Sequence, residues 1–385
     1  MPIVLFLLAV AVFAQGTSEF MLAGLLPGIS SDLGVPLGRT GLLTSAFAAG
    51  MVLGAPAMAV LSRRFSPRWS LTAFLALFIA AHVVGALADG FAVLLLTRVA
   101  AAIANAGFLA VTMSTIVRIV PPERQARGLS VVLGGTTLAL IAGVPGGALV
   151  GELLGWRATL WAVALLCVPA ALGVMLMVPA RPAASALSGP SGLRREFGAL
   201  RRGPVIGWLL LGALVNAATF CTFTYLAPLA LGPAGLPRQA VPGLLAVFGV
   251  GAFLGVAFAG RVADRHWRRL IGVAGPALLG GWLLLAAGAG APAAVWVLAP
   301  VLGALSFALG STLIARVVAS AQSEAPTMAG AFATMALNVG AVAGPAVGGL
   351  FLDLPDARGA VLVSAAMVLV VAAAWRIPAV RRTLG

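Results

Sequence analysis

The sequence predicts an all-α integral membrane protein: twelve transmembrane helices in two six-helix halves related by a pseudo-two-fold. Three observations predict it. Of 385 residues, 61% are hydrophobic and only 9% charged, whereas a soluble domain is about 25% charged. Apolar stretches long enough to cross a bilayer, which takes about 20 helical residues, occur twelve times. Sliding the chain on itself by 201 positions brings Pro27 onto Pro228, Gly50 onto Gly251, Gly54 onto Gly255, Arg64 onto Arg265, Arg68 onto Arg269, Glu123 onto Glu324 and Arg157 onto Arg358. Chance in a Gly- and Ala-rich chain explains isolated glycines but not matched loop charges. Each half is therefore read as the same unit, a layout that many secondary transporters build around a midplane site.

The spans run over 2–27, 39–61, 70–88, 91–117, 128–152 and 158–179, then 204–231, 239–260, 270–290, 293–318, 328–351 and 359–376. Residues 1–180 form the first half and 204–385 the second. The linker, 181–203, is rich in Pro, Ser, Gly and Arg. The first stretch has a signal-peptide look at Ala11 to Ala14, but it lacks a basic n-region and stays apolar to Pro27, so it is read as helix 1. Helices 2 and 8 carry Gly50-x-x-x-Gly54 and Gly251-x-x-x-Gly255. Helix 5 holds Gly134, Gly143, Pro145, Gly146, Gly147 and Gly151, and helix 11 holds Gly340, Gly344, Pro345, Gly348 and Gly349. Small residues four apart let helices approach closely, and proline adds a kink. Tight, bending interfaces are expected there, with Gly143, Pro145, Gly147, Gly344 and Pro345 as conformational positions.

Net charge is +14, and all 24 basic residues are arginine. Nineteen fall in alternate loops on one side, among them Arg63, Arg64, Arg68, Arg194, Arg195, Arg265 and Arg269; the other side has Arg39, Arg157, Arg238 and Arg358. This bias places both termini and the linker in the cytoplasm of a bacterial inner membrane. Such loop charges set topology, so the lipid bilayer rather than nucleic acid is the expected partner. Cys167 and Cys221 have no metal or redox spacing. The absence of lysine, and so of a Gly-Lys-Ser/Thr phosphate loop, disfavours an ATP-driven pump. An enzyme would need clustered His, Asp or Cys, yet the two histidines, His82 and His266, lie in different halves. No cofactor is expected, the proton gradient being the energy source, and a monomer is expected.

Two charges lie deep in apolar segments: Glu19 in helix 1 and Arg98 in helix 4. An intramembrane ionisable residue costs several kcal/mol and marks a functional site by default. Glu19 precedes Pro27 by eight residues and Arg98 follows Gly90 by eight, which puts both ~12 Å inside the outer boundary. Equal depth lets them pair. Burial disfavours the carboxylate and a guanidinium favours it, and such opposition poises a group to bind and release a proton. A static ion pair that fixes packing is the competing reading. Gln15 lies one turn from Glu19, and Asn105 two turns from Arg98, so both helices show a polar stripe. His82 is read as a tolerated helix residue.

In the second half Asn216 matches Gln15 and Phe220 matches Glu19. Phe220 to Tyr225 offers aromatic surface with hydroxyls, and Asn338 adds an amide on helix 11. Gln15, Asn105, Asn216, Phe220, Tyr225 and Asn338 are the expected substrate-binding residues, suited to an amphiphilic organic molecule. Loop 8–9, Gly260 to Arg269, sets Asp264 beside Arg265, Arg268 and Arg269. An acid within a base cluster can lock a gate through charge-assisted bonds. Its counterpart, Leu61 to Arg68, has Arg63 where the acid would be.

Taken together these features resemble the major facilitator superfamily across essentially the whole chain. Gly260 to Arg269 is similar to that family's Gly-x-x-x-Asp-Arg-x-x-Arg-Arg signature, and 61–68 is a version without the acid. Leu94-x-x-x-Arg98 with Asn105-Ala106-Gly107 resembles the helix-4 motif, whose arginine is linked to proton transfer. The Gly143 to Gly151 run resembles the helix-5 motif of drug–proton antiporters, its proline displaced by one residue. The runs Phe13 to Met21, Gly41 to Phe47, Ala104 to Val111 and Ala142 to Trp156 look like chloramphenicol exporters of actinomycetes. Sugar-efflux relatives share Glu-Phe and Gly-Trp-Arg. The resemblance implies proton-coupled export of chloramphenicol-like drugs by alternating access. Sugar or metabolite efflux is the alternative, and a non-transporting membrane sensor is the reading from another class.

Overall fold

The computed structural model describes residues 3–61, 65–119, 125–178, 203–321, 329–352 and 357–378. Among them, eleven helical segments are long and apolar enough to cross a membrane. The twelfth predicted stretch is also helical, over Leu42–Leu61. The chain divides into two compact units, one of Met1–Pro36 and Leu42–Ala186, the other of Leu37–Gly41 and Leu187–Gly385.

In the first unit the helices are α1 (Ile3–Phe20), α2 (Leu22–Leu33), α4 (Leu42–Leu61), α5 (Pro67–Ala86), α6 (Phe91–Ile119), α7 (Gln125–Leu138), α8 (Val144–Leu154) and α9 (Trp156–Met177); the short α3 (Leu37–Thr40) clusters with the second unit. The second unit continues with α10 (Gly203–Thr224), α11 (Leu226–Leu231), α12 (Ala240–Gly288), α13 (Pro292–Ala321), α14 (Ala329–Leu350) and α15 (Arg358–Arg376). Local chemistry sets several ends. Ser66 caps α5 by accepting from the Trp69 amide at 3.5 Å, and Pro67 occupies the first turn, where a missing N–H is harmless.

Three predicted helices differ from expectation. The stretch 2–27 is not one helix; it breaks at Met21 into α1 and α2. The Thr17 hydroxyl bonds back to Phe13 O at 2.8 Å, a contact that bends helices. The second half repeats the break at Tyr225: Thr219 bonds back to Val215 O, and Pro228 cannot donate to the Thr224 carbonyl. Helix 5 is not a simple kinked helix either. Ala139–Gly143 forms a π turn between α7 and α8, and the Val144 amide reaches Ala139 O. The widened turn accommodates Pro145, which has no amide to give. Finally, the break between spans eight and nine is present but shorter than expected, a kink rather than a loop. α12 is two helices, with apolar spans Ala240–Ala263 and Arg265–Gly288, that meet at a kink at His266 (φ −128°, ψ 24°); 261–269 contains neither Gly nor Pro, so helix persists up to the kink on both sides.

The glycine pairs hold helices close, and in equivalent places. A Cβ on Gly50 would stand 2.7 Å from Ala102 Cβ and 2.8 Å from Val99 O, and one on Gly54 2.9 Å from Ile103 Cα. In the second half Gly251 meets Pro300 O and Gly255 meets Ala304 O. Pro300 and Ala304 are the residues 201 positions beyond Val99 and Ile103, so the repeat extends from sequence to helix contacts. Similarly, Gly143 abuts Thr17 and Gly344 abuts Ala217 O, packing α14 on α10. Gly147 faces Met21 Cβ, which a Cβ there would approach to 3.2 Å.

Candidate functional site

Glu19, on the last turn of α1, remains partly accessible, whereas Arg98 on α6 is only 2% exposed. Among the described residues they form no ion pair within 4 Å; the one such pair is Arg157 with Asp32. The expected contact at equal depth is thus a charge interaction without touch. The polar side chain set against Glu19 is Asn105, two turns along α6 from Arg98. Arg98 turns to the backbone of α1 instead. Its Nη1 donates to Ser18 Oγ at 2.9 Å and its Nη2 to Ser18 O at 2.6 Å. Its guanidinium carbon lies 4.6 Å from the centre of the Phe47 ring, an arrangement that favours a cation.

Ser18 Oγ also lies 2.7 Å from Nε2 of His82, whose Nδ1 is 2.8 Å from Phe78 O. His82 is 2% exposed, so this residue, expected to be incidental, belongs to the cluster. The signal was present: like Glu19 and Arg98, it is an acid–base side chain deep in an apolar segment. Nothing in the sequence marks Ser18 or Phe47.

Gln15 is 1% exposed, and neither amide atom has a protein partner. The hydroxyls of Thr44 on α4 and Thr112 on α6 are likewise buried and unpartnered. Arg98, Asn105 and Thr112 recur every seven residues, a single stripe on α6. Buried polar atoms nearly always find partners, so Gln15, Thr44 and Thr112 carry unmet hydrogen-bonding capacity.

In the second unit Asn216 donates to Leu337 O at 2.6 Å, next to Asn338, whose amide donates to Thr334 O at 3.0 Å. The two amides thus lie along the α10–α14 packing. Phe220 packs edge-on against Phe223 (centroids 6.2 Å), Phe223 lies 5.0 Å from Phe248, and Phe248 6.5 Å from Phe307. Phe248 and Phe307 join an aromatic run that sequence reading began at Phe220. The Tyr225 hydroxyl donates to Pro345 O at 2.9 Å and Gly38 O at 3.2 Å.

Of the residues expected at a gate, Arg68 Nε donates to Val178 O at 2.6 Å, tying α5 to the end of α9. Arg265 and Arg269 border a cavity of about 560 Å³ with His266, Trp267, Arg268 and Arg316. Arg64 and the Asp264 side chain lie outside the described residues. No cluster of three His, Cys, Asp or Glu that could hold a metal occurs among the described residues.

Two units of apolar helices, one of which holds an acid, a base and an amide, are the make-up of a multi-pass membrane transporter. The Major Facilitator Superfamily model matches residues 8–336, and the chain belongs to that family. It is 56% identical over 347 residues to the chloramphenicol resistance protein of Streptomyces lividans, covering 90% of this chain and 88% of that one. It is 31% identical to the inner membrane transport protein YdhP of Escherichia coli (strain K12), over 96% of each. Among solved structures, a bacterial homologue of the human lysosomal transporter Spinster superposes with a TM-score of 0.77 at 19% identity, covering 99% of this chain and 96% of that one. The nucleoside transporter NupG gives 0.76 at 15%, covering 97% and 98%. These two matches show the fold.

Proposed function

We propose that the protein is a proton-coupled antiporter that exports chloramphenicol-like drugs by alternating access across the bacterial inner membrane, with both termini cytoplasmic. The observation that carries the coupling is the Glu19 side chain, set in an apolar helix between Asn105 and the charge of Arg98 without an ion pair. A carboxyl in an apolar helix with one neutral neighbour and a nearby fixed cation can exist in either protonation state. Glu19 takes a proton from the outer side as drug leaves and releases it inward before the next drug binds. The unpartnered polar groups of Gln15, Thr44 and Thr112 in the first unit suit a neutral molecule with hydroxyl and amide groups, and the amides and aromatic rings of the second unit have the same chemistry. The resistance protein sharing 56% identity over 90% of the chain supports that substrate class. Exchange of one neutral drug for one proton moves one charge, worth about 2.3 kcal/mol per 100 mV.

Two measurements test this. Cells expressing the protein should resist chloramphenicol; sensitivity to it together with sugar efflux would move the assignment to metabolite export. In proteoliposomes, drug added to the wild type should release protons, and Glu19→Gln should not, while unfolding at the wild-type temperature. Full drug-driven proton release from Glu19→Gln would overturn the coupling role.

A further inference from the structure

His82 and Ser18 complete a hydrogen-bond chain whose directions are fixed by what each atom can do. The Phe78 carbonyl only accepts, so Nδ1 of His82, 2.8 Å away, carries a hydrogen. In the neutral ring Nε2 is then bare and only accepts. Ser18 Oγ, 2.7 Å from it, must supply the proton of that bond. The Ser18 lone pairs are left facing Arg98 Nη1, which only donates, at 2.9 Å. The chain therefore runs one way, from Arg98 through Ser18 and His82 to Phe78. Each bond polarises the next. A second proton on His82 would reverse the middle link and set a second cation beside Arg98.

We infer that His82, acting through Ser18, is a positioning residue that holds the Arg98 guanidinium at a fixed stand-off from Glu19. Three contacts fix Arg98: Ser18 Oγ, Ser18 O and the Phe47 ring. The two to Ser18 lie one residue from Glu19 along α1, so Arg98 is bound to the helix that carries the carboxyl without binding the carboxyl itself. A direct ion pair would hold Glu19 ionised and stall its reprotonation; a distant arginine would leave the ionised state unsupported. The titratable and charged groups facing His82 in this cluster are Arg98, through Ser18, and Glu19, through Arg98. The Phe78 ring lies tilted against the imidazole, with centroids 4.2 Å apart.

This inference rests on the coupling role of Glu19, so its test includes a readout independent of transport. The chain has only two histidines. A His266→Gln background labelled with ¹⁵N-histidine therefore gives the signals of His82 alone. The expected spectrum is the Nδ1–H tautomer with Nε2 as acceptor, and Ser18→Ala should shift the Nε2 resonance selectively. An Nε2–H tautomer, or no response to Ser18→Ala, would overturn the chain itself. Transport then tests its purpose. His82→Leu should slow drug-driven proton release at least about tenfold at saturating drug, with KM for chloramphenicol unchanged. His82→Gln, whose terminal carbonyl can accept from Ser18, should restore most of the rate. Ser18→Ala combined with His82→Leu should be no worse than either alone, since both break one chain. A wild-type rate in His82→Leu would reduce His82 to packing. Failure of His82→Gln to rescue would show that the imidazole carries the proton itself. Glu19→Gln measured alongside separates these outcomes: if it still releases protons, the coupling reading fails whatever His82 does.

Discussion

Arg98 grips Ser18 twice, at the side-chain oxygen (2.9 Å) and at the main-chain carbonyl (2.6 Å), while the acid it serves is the next residue along α1. The grip uses the planar fork of a guanidinium. Lysine keeps the charge but offers a point ammonium that cannot span both oxygens in fixed geometry. Arg98→Lys should therefore fold, yet lose at least about tenfold in coupled transport, equivalent to about 1.4 kcal/mol. Proton release and drug uptake in the same vesicles check it. Unchanged coupling would mean that charge alone suffices and the fork is incidental.

Gln15 should separate stability from function. Its amide is buried, and neither end has a protein partner. Replacing such a group by an apolar one of similar shape is often neutral or stabilising. Gln15→Leu is expected to unfold at the wild-type temperature or above it, while KM for chloramphenicol rises several-fold. A sharp fall in stability with KM unchanged would make the amide a structural group.

Helix contacts give a graded series. A Cβ on Gly344 would run into the Ala217 carbonyl, a main-chain atom that cannot step aside. One on Gly275 or Gly310 would meet nothing within 4 Å. Overpacking a close contact costs about 1–3 kcal/mol, so Gly344→Ala should lower the unfolding temperature clearly. Gly275→Ala and Gly310→Ala should leave it unchanged or raise it slightly through helix propensity. Equal effects at all three positions would show that the α10–α14 contact is looser than the structure has it.

How much of this was legible in the sequence follows from what kind of signal each feature leaves. The apolar spans, the 201-residue repeat and the glycine pairs are written in periodic patterns, and Gly50 and Gly251 meet equivalent partners as the repeat requires. Glu19 and Arg98 were legible because charge in an apolar helix is rare. Their stand-off was not, since depth along a helix says nothing of which way a long side chain turns. The π turn at Ala139–Gly143 and the break at Met21 depend on backbone bonding rather than residue type. Ser18 was invisible for a similar reason: a serine in a membrane helix usually bonds its own backbone, and only the fold brings His82 and Arg98 to it.

A last prediction concerns a titration outside the spans. Asp32, near the end of α2, accepts from Trp156 Nε1 at 3.0 Å and from Arg157, whose Nη2 also reaches Ala88 O at 3.0 Å. Gly155 just before them adopts φ +85°, a value that suits glycine and turns the start of α9 toward α2. The bonds from Arg157 and then Trp156 hold the Asp32 carboxyl below its usual range. A carboxyl lowered in the folded state adds stability that is complete above its unfolded value, about 3.9, and is lost as pH falls through the folded value. Asp32→Asn removes the charge yet keeps an acceptor for Trp156. The wild type should therefore unfold at a higher temperature than Asp32→Asn by a small, constant margin from pH 8 to 5. Below about pH 4 the margin should close. Both partners are partly exposed, so salt should shrink the margin as well. Thermal unfolding in detergent across pH and salt reads it directly. A margin that widens toward low pH would contradict the assignment of Asp32 as the ionised partner of Arg157.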